Sequence, residues 1–340
     1  MRAVTIIGGG LAGLTLGIGL RQRGVPVTII EAGDYPRHRV CGEFISGAGL
    51  EALRSSGLME VVPPALWREA RSAAFYSEQT RLGARTLPAP AGCVSRFVFD
   101  AALRTRFCES GGELRLNQRW NGSAEPGVVL ASGRRAQPTE DGWRWFGLKV
   151  HARHITMDAD LEMHLSRNAY VGLCRLAGGE VNVCGLFRRR VQEAGRGASL
   201  DWLRGSPESP LFARLAKAEL DQDSFCAVAG LSLRPQPIEP GWCRIGDALT
   251  MIPPITGNGM SMALESAALA LDPLTEYAVG AGDWGSASAK IADQLRERFR
   301  RRLRWASWFQ KALFSPLAVP ALKGTMLSAR GWQFAFAATR

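Results

Sequence analysis

Glycines near the amino end of the chain are spaced for binding a nucleotide. Gly8, Gly10 and Gly13 form a Gly-x-Gly-x-x-Gly pattern directly after an apolar run over residues 3–7. In such a pattern the first glycine makes a tight turn, the second lets a pyrophosphate approach the backbone at a helix amino end, and the third permits close packing of helix on strand. Glu31 follows a second apolar run, where a carboxylate accepts hydrogen bonds from ribose hydroxyls. The chemistry indicated is binding of a dinucleotide, NAD or FAD.

The same stretch predicts the elements that position these residues. We predict a buried strand over 3–7, a helix that begins at the glycines and ends near residue 23 with Gly24 as its cap, and a second strand over 27–30. The uncharged run 3–20 has the length of a signal peptide or a membrane span. It contains six glycines, however, and each costs about 1 kcal/mol in a helix relative to alanine. A strand, helix and strand around a nucleotide is therefore the prediction.

Cysteine and histidine residues do not follow the spacing of a metal site. The seven Cys are an odd number without a Cys-x-x-Cys pair, and the four His include one close pair, His151 and His154. We predict no bound metal, histidines that are solvated or hydrogen-bonded, and a reducing cytoplasmic location.

The positive charge of the chain is concentrated at its carboxyl end. Lys and Arg number 42 against 31 Asp and Glu, which gives a net charge of +11. Residues 296–340 hold ten basic residues and one acidic residue, interleaved with aromatic side chains. This pattern is typical of an interfacial segment and not of a nucleic-acid groove. We predict basic amphipathic helices over 296–314 and 318–336 that contact the inner face of a membrane peripherally, with covering of the core as the alternative.

Three segments resemble the geranylgeranyl-reductase-like FAD-dependent oxidoreductases, within the p-hydroxybenzoate-hydroxylase-type (group A) flavoprotein monooxygenase superfamily. The first is RHRVCGEFIS over 37–46, similar to an Arg/Lys-x-Cys-Gly stretch that runs along the flavin. The second is SRFVFDAAL over 95–103, in which Arg96 matches an arginine that approaches the cofactor. The third is GDALTMIPPITGNGM over 246–260, in which Asp247 matches an aspartate that holds the ribityl chain of FAD.

The resemblance implies an α/β fold with a discontinuous Rossmann-like FAD-binding domain, an α+β substrate domain built on an antiparallel sheet, and C-terminal helices. The predicted boundaries are 1–65, 92–138 and 236–295 for the FAD-binding domain, 66–91 and 139–235 for the substrate domain, and 296–340 for the helices. Alternating or apolar runs predict strands over 143–152, 160–165, 169–176 and 180–187. The residues expected to bind FAD are Gly8, Gly10, Leu11, Ala12, Gly13, Glu31, Ala32, Arg39, Val40, Cys41, Arg96, Asp247, Pro254, Gly257, Asn258, Gly259 and Met260.

Cys41 and Glu43 are the candidate catalytic residues. Both lie in the segment expected beside the flavin, where a thiol or a carboxyl whose pKa is shifted by burial can donate or accept a proton. The structural alternative is that Cys41 packs as a small apolar residue and that Glu43 pairs with Arg39. A second glycine pattern after a strand is missing from the sequence, so we expect NAD(P)H as a transient electron donor without a domain of its own. A ferredoxin or another reductase is the alternative donor.

Departures from the family pattern leave the reaction open. Ser132 stands where hydroxylases carry the aspartate of an Asp-Gly motif, and the reductases' aromatic signature is reduced to YVGL over 170–173. One activity is hydroxylation of an apolar aromatic, quinone or polyketide-like substrate of secondary metabolism through a C4a-hydroperoxyflavin. A second is reduction of a carbon–carbon double bond in an isoprenoid or quinone, and a third is non-catalytic binding of flavin or lipid. The reduced aromatic signature places hydroxylation ahead.

Overall fold

Two β-sheets and seven helices organise the residues that the structure describes, which are 1–134, 139–193, 198–233, 241–315 and 328–339 of this computed structural model. The strands are β1 (Val4–Ile7), β2 (Val27–Ile30), β3 (Phe44–Ile45), β4 (Arg68–Ser77), β5 (Thr80–Cys93), β6 (Glu113–Arg115), β7 (Val128–Leu130), β8 (Trp143–Arg153), β9 (Leu161–Ser166), β10 (Ala169–Arg175), β11 (Val181–Arg190), β12 (Glu219–Ala229) and β13 (Cys243–Arg244). The helices are α1 (Leu11–Gln22), α2 (Gly47–Ser55), α3 (Arg96–Glu109), α4 (Pro210–Leu215), α5 (Gly259–Ala278), α6 (Trp284–Leu313) and α7 (Ala329–Ala338).

The first sheet is parallel and has the strand order β13-β7-β1-β2-β6. β1 and β2 share the sequence VTII, without a charged residue, because helices cover this sheet and bury its apolar side chains. The predicted strands at 3–7 and 27–30, and the helix between them, are confirmed to within one residue. The carboxyl ends of β1, β7 and β13 therefore meet at one edge, where ligands bind in sheets of this kind.

The second sheet has eight strands in the order β12-β8-β11-β10-β9-β4-β5-β3. The four strands predicted between 143 and 187 are observed as β8 to β11, and they pair antiparallel. One pair, β4 with β9, is parallel, which differs from the antiparallel sheet that was expected. The difference arises because the chain passes through β5 and α3 and the first sheet before β9 returns beside β4.

The side chains of strand β8 point alternately to the two faces of the second sheet. Phe146, Leu148 and Val150 pack in an outer apolar core with α4 and Leu203. Lys149 and His151 alternate with them, so they point to the opposite face, towards the segment 37–46 that follows β2. This face and the segment 37–46 together form the buried polar cluster described below.

The carboxyl-terminal part of the chain contains α6 and α7. Helix α6 has 30 residues and begins twelve residues before the predicted start at 296, because Asp283 caps it by accepting a hydrogen bond from the Ser286 amide at 2.8 Å. Residues 318–327 of the second predicted helix, and the predicted domain boundaries at 138 and 235–236, lie outside the described residues. None of the helices in the described ranges combines the length and the apolar character that crossing a membrane requires.

Candidate functional site

The turn after β1 has the geometry that its glycines predict. Gly8 has a φ of 107°, and a Cβ on it would lie 2.4 Å from the carbonyl oxygen of Ala131 in the strand end next to it. A Cβ on Gly13 would lie 2.0 Å from the Gly8 carbonyl oxygen. A Cβ on Gly10 would meet no atom within 4 Å. Two of the three glycines are thus required by packing, and the third faces open space.

Two helix amino ends face this edge of the first sheet. Helix α1 follows Gly10 and α5 follows Asn258, and neither helix has a side-chain cap or an acidic residue in its first turn. Gly259, the first residue of α5, also has open space around its Cβ position. Uncapped backbone N–H groups at a helix amino end attract anions and negatively polarised oxygens. The pair of ends fits a ligand that carries a pyrophosphate and a polar ring edge, as FAD does.

Four more residues that were expected to bind FAD lie in the first turns of these helices or just after β2. Leu11 and Ala12 are buried in the first turn of α1, Ala32 is exposed, and Met260 is buried in the first turn of α5. The carboxylate of Glu31 accepts hydrogen bonds from the amides of Gly9 at 2.8 Å and Gly33 at 3.0 Å.

The Glu31 carboxylate stays charged although it is buried. Burial raises its pKa. The Arg37 guanidinium, 2.7 Å away, and the two amides together lower it by more, so the pKa lies below its usual range. A charged carboxylate beside the glycine turn is suited to accept hydrogen bonds from ribose hydroxyls.

Arg39 and Arg96 converge on a buried carboxylate, that of Asp100. Arg96 makes two hydrogen bonds to Asp100, both 2.6 Å long, and the Arg39 Nε lies 3.6 Å from the same group. Asp247 lies in a turn after β13. The charges of Arg96 and Arg134 lower its pKa, but burial has the larger effect and raises that pKa. The structural alternative that paired Glu43 with Arg39 is not observed, because Arg39 pairs with Asp100 and Glu31 instead.

A cavity of about 320 Å³ lies between the second sheet, the segments 40–44 and 251–257, and helices α6 and α7. Four of the predicted residues line it, namely Val40, Cys41, Pro254 and Gly257. The facing sheet contributes small and apolar side chains, among them Ala73, Phe75, Met163, Gly172 and Cys184. Helices α6 and α7 contribute the aromatic residues Trp308, Phe309, Trp332 and Phe336. Such a cavity suits an apolar small molecule.

Cys41, one of the two candidate catalytic residues, lines this cavity. Burial raises the pKa of its thiol, and the charge of Arg96 offsets only part of that effect. The thiol is therefore protonated at neutral pH and can donate a proton. All seven cysteines of the chain, every one of them in the described ranges, are free thiols.

Glu43 lies behind the cavity wall, in a buried polar cluster. Its side chain is fully buried; one oxygen lies 2.7 Å from His151 Nε2, and the other accepts from the Arg96 amide at 2.9 Å and lies 3.6 Å from Lys149 Nζ. Burial raises the pKa of Glu43, but His151 and Lys149 outweigh burial and hold that pKa below its usual range. The carboxylate is thus an acceptor for these partners, and the lining of the cavity does not include it among the described residues.

His38 completes this cluster on the side of the 37–46 segment. Its Nδ1 lies 2.9 Å from Lys149 Nζ, so the ring accepts a hydrogen bond from the ammonium, and it stacks on Phe97. Burial and the charge of Lys149 lower the pKa of His38 to about 4, against a smaller opposing effect of Glu43 and Asp221. The folded protein therefore holds His38 neutral.

A pH dependence of stability follows from His38. Between pH 6.5 and about 4 the unfolded chain binds a proton at this residue while the folded protein does not, so the free energy of unfolding is expected to fall as the pH falls through this window. His38→Gln should flatten this part of the profile. Urea unfolding at several pH values measures both slopes, and equal slopes for the two proteins would contradict the assignment.

Asn258 makes a contact that the sequence did not predict. Its side chain is fully buried, and its Nδ2 donates to the carbonyl oxygen of Thr339 at the end of α7. A hydrogen bond thus joins the glycine-rich turn expected to bind the flavin to Thr339, the last residue that the structure describes.

Sequence reasoning missed Lys149, His38 and the aromatic wall from the last two helices. Lys149 alternates with apolar residues in β8, a pattern that ordinarily indicates a solvent-exposed position. Packing of the 37–46 segment on that face buries it instead. His151 is hydrogen-bonded and His154 is exposed, and among the described residues we find no cluster of three or more metal-binding side chains.

Comparison with known proteins agrees with this geometry. Residues 1–122 match the family model of the FAD binding domain. A menaquinone reductase of Mycolicibacterium smegmatis is 22% identical, over 88% of this chain and 81% of that protein.

Solved structures share the fold. The flavin-dependent brominase Bmp2 superposes with a TM-score of 0.79 at 19% identity, covering 99% of this chain and 92% of that one. A geranylgeranyl bacteriochlorophyll reductase-like protein of Thermoplasma acidophilum gives a TM-score of 0.72 at 18% identity, covering 98% and 95%. The fold expected from the sequence is confirmed. Residues 1–122 match an FAD binding domain, and the protein is an FAD-dependent oxidoreductase.

Proposed function

We propose that this protein reduces a carbon–carbon double bond of an apolar substrate, of the isoprenoid or quinone class, held in the cavity. The observation that carries the proposal is the position of the Cys41 thiol, whose pKa burial raises, in a cavity wall that is otherwise mostly apolar. Reduction of a double bond needs a hydride at one carbon and a proton at the other. Hydroxylation needs no acid of this kind. The thiol therefore favours reduction, although the sequence motifs place hydroxylation first.

FAD, when bound and reduced, supplies the hydride equivalent. The residues proposed to hold FAD are the glycine turn and Glu31 at the β1 edge, Arg39 and Arg96 beside it, and Asp247 with the turn 254–260. The chain's remaining tasks are to hold the apolar substrate between the second sheet and helices α6 and α7, to exclude water, and to deliver the proton from Cys41 Sγ. NAD(P)H is the proposed electron donor.

Hydroxylation is the second candidate, favoured by one small residue in the reduced aromatic signature and another directly after it. Gly172 and Cys174 line the cavity where bulky rings would narrow it, which leaves room for a substrate ring close to the flavin position expected from the resemblance.

One experiment separates the two reactions. The purified flavin-loaded protein is incubated with NADPH and either geranylgeraniol or a menaquinone, with and without oxygen, and the products are analysed by mass spectrometry. We expect a gain of two hydrogen atoms that does not require oxygen. A gain of one oxygen atom that requires oxygen would overturn the proposal and establish the second candidate.

Cys41→Ala is expected to lower kcat about 10²-fold, the usual contribution of a general acid. Cys184→Ala removes a thiol from the same cavity and should change kcat by less than about twofold, so it is the matched control. Steady-state rates and FAD content of both variants measure the difference. Equal kcat values for the two variants would remove the proton-donor role from Cys41.

A further inference from the structure

One surface of α6 and α7 combines exposed aromatic rings with unpaired positive charge. Trp308 is 56% exposed and Phe334 is 48% exposed, two of six large apolar side chains in the described ranges that are at least 40% exposed. Trp305 connects the two helices, since its ring lies 5.0 Å from that of Phe334 and 6.0 Å from that of Trp308. We call Trp305, Trp308, Phe309 and Phe334 the aromatic surface cluster.

Basic residues flank the aromatic surface cluster on the same side of α6. Arg301, Arg304 and Lys311 follow a helical spacing that includes Trp308, and all three are exposed. Within the part of the chain that the structure describes, none of the three forms an ion pair. The opposite side of α6 is buried, and there Arg302 forms an ion pair with Glu265 at 2.5 Å. The charges of Arg301, Arg304 and Lys311 therefore stay unpaired within this part of the protein.

The aromatic surface cluster also reaches the cavity. Trp308 and Phe309 line its wall, although more than half of Trp308 is exposed. The outer surface and the cavity therefore share a residue, which indicates that the cavity opens beside this surface. An apolar substrate that leaves a membrane here would pass from the bilayer to the cavity without crossing water.

We propose that this surface of α6 and α7 docks on an anionic phospholipid membrane, with Trp308 and Phe334 in the interfacial region and Arg301, Arg304 and Lys311 against the headgroups. Charge complementarity selects this occupant, because a second copy of the chain would bring the same positive charges together. The docking itself follows from charge and exposed rings. Only the delivery of substrate from the bilayer rests on the proposed function.

Vesicle flotation of the full flavin-loaded chain tests the docking. Phosphatidylcholine vesicles are compared with vesicles of two parts phosphatidylcholine and one part phosphatidylglycerol, at low and at high salt. We expect binding only to the anionic vesicles and its loss at high salt. The double variant Arg301→Gln/Arg304→Gln should bind about 30-fold more weakly, which corresponds to about 1 kcal/mol for each arginine. Phe334→Ser should weaken binding about tenfold.

Matched controls carry the same changes elsewhere on the surface. Arg106→Gln/Lys217→Gln removes two exposed charges from other elements, and Leu66→Ser removes another exposed apolar side chain, which is 40% exposed. Both should bind vesicles like the unaltered protein. Equal weakening by these controls, or equal binding to neutral vesicles, would overturn the proposal.

Size-exclusion chromatography tests whether the surface binds a second copy of the chain instead of a membrane. A dimer that Phe334→Ser splits, together with failure to bind vesicles, would replace the membrane by an interface between copies. Because flotation requires no turnover, this test can fail while the proposed reaction holds, and it can succeed while that reaction fails.

Discussion

Replacement of Gly10 or Gly13 by alanine is expected to abolish stable FAD binding in both cases, but for different reasons. The Cβ of Gly10→Ala enters open space at the α1 amino end, so the protein without flavin should keep its Tm while the space for a pyrophosphate is lost. The Cβ of Gly13→Ala would lie 2.0 Å from the Gly8 carbonyl oxygen. Relief of that overlap should cost about 3 kcal/mol and lower Tm by about 5–10 °C.

Two measurements on each variant separate these causes. Absorbance at the flavin band after purification and addition of FAD gives cofactor occupancy, and thermal unfolding of the flavin-free proteins gives Tm. Normal occupancy in Gly10→Ala would show that the open space at α1 does not hold the pyrophosphate. An unchanged Tm in Gly13→Ala would contradict the close packing of α1 on the turn.

Glu43→Gln is expected to lower the free energy of unfolding by about 3–5 kcal/mol. The change leaves the buried Lys149 ammonium without its carboxylate partner, and among the described residues Glu43 is the only acid that pairs with Lys149. An unpaired buried charge costs far more than a lost surface pair. The double variant Glu43→Gln/Lys149→Met should recover part of the loss, because it removes the stranded charge as well.

Urea unfolding of the two variants measures this coupling. Glu51→Gln breaks an exposed ion pair with Arg54, in which the two side chains are 71% and 57% exposed, and should cost less than about 0.5 kcal/mol. A loss in Glu43→Gln as small as that in Glu51→Gln would mean that water reaches the cluster. A double variant less stable than either single variant would show that Lys149 is stabilised by other groups.

The glycine turn after β1 shows why part of the site could be predicted from the sequence. The roles of Gly8 and Gly13 depend on backbone contacts within one strand, turn and helix, and Glu31 lies at the end of the next strand. Such contacts are set by a short stretch of chain, so residue type and spacing carry the information. The sheet strands with apolar runs were predicted for the same reason.

The buried cluster around Glu43 shows the opposite case. The alternation in β8 predicts that Lys149 shares one side of the sheet with His151, but it does not say which side another part of the chain covers. Residues 37–46 cover that side, more than a hundred positions away in sequence. The sequence therefore offered only Arg39, a neighbour along the chain, as an alternative partner of Glu43, whereas the partner in the structure is His151.

By itself the sequence determined the glycine turn after β1 with the strands and helix that flank it, the four strands β8 to β11, and the concentration of charge at the carboxyl end, because each depends on local spacing or composition. Only the tertiary structure decided that Lys149 and His38 enclose Glu43, and that α6 and α7 form a wall of the cavity while exposing Trp308 and Phe334. These outcomes depend on which faces meet when the two sheets and the last helices pack, and burial of apolar area fixes that choice over the whole chain.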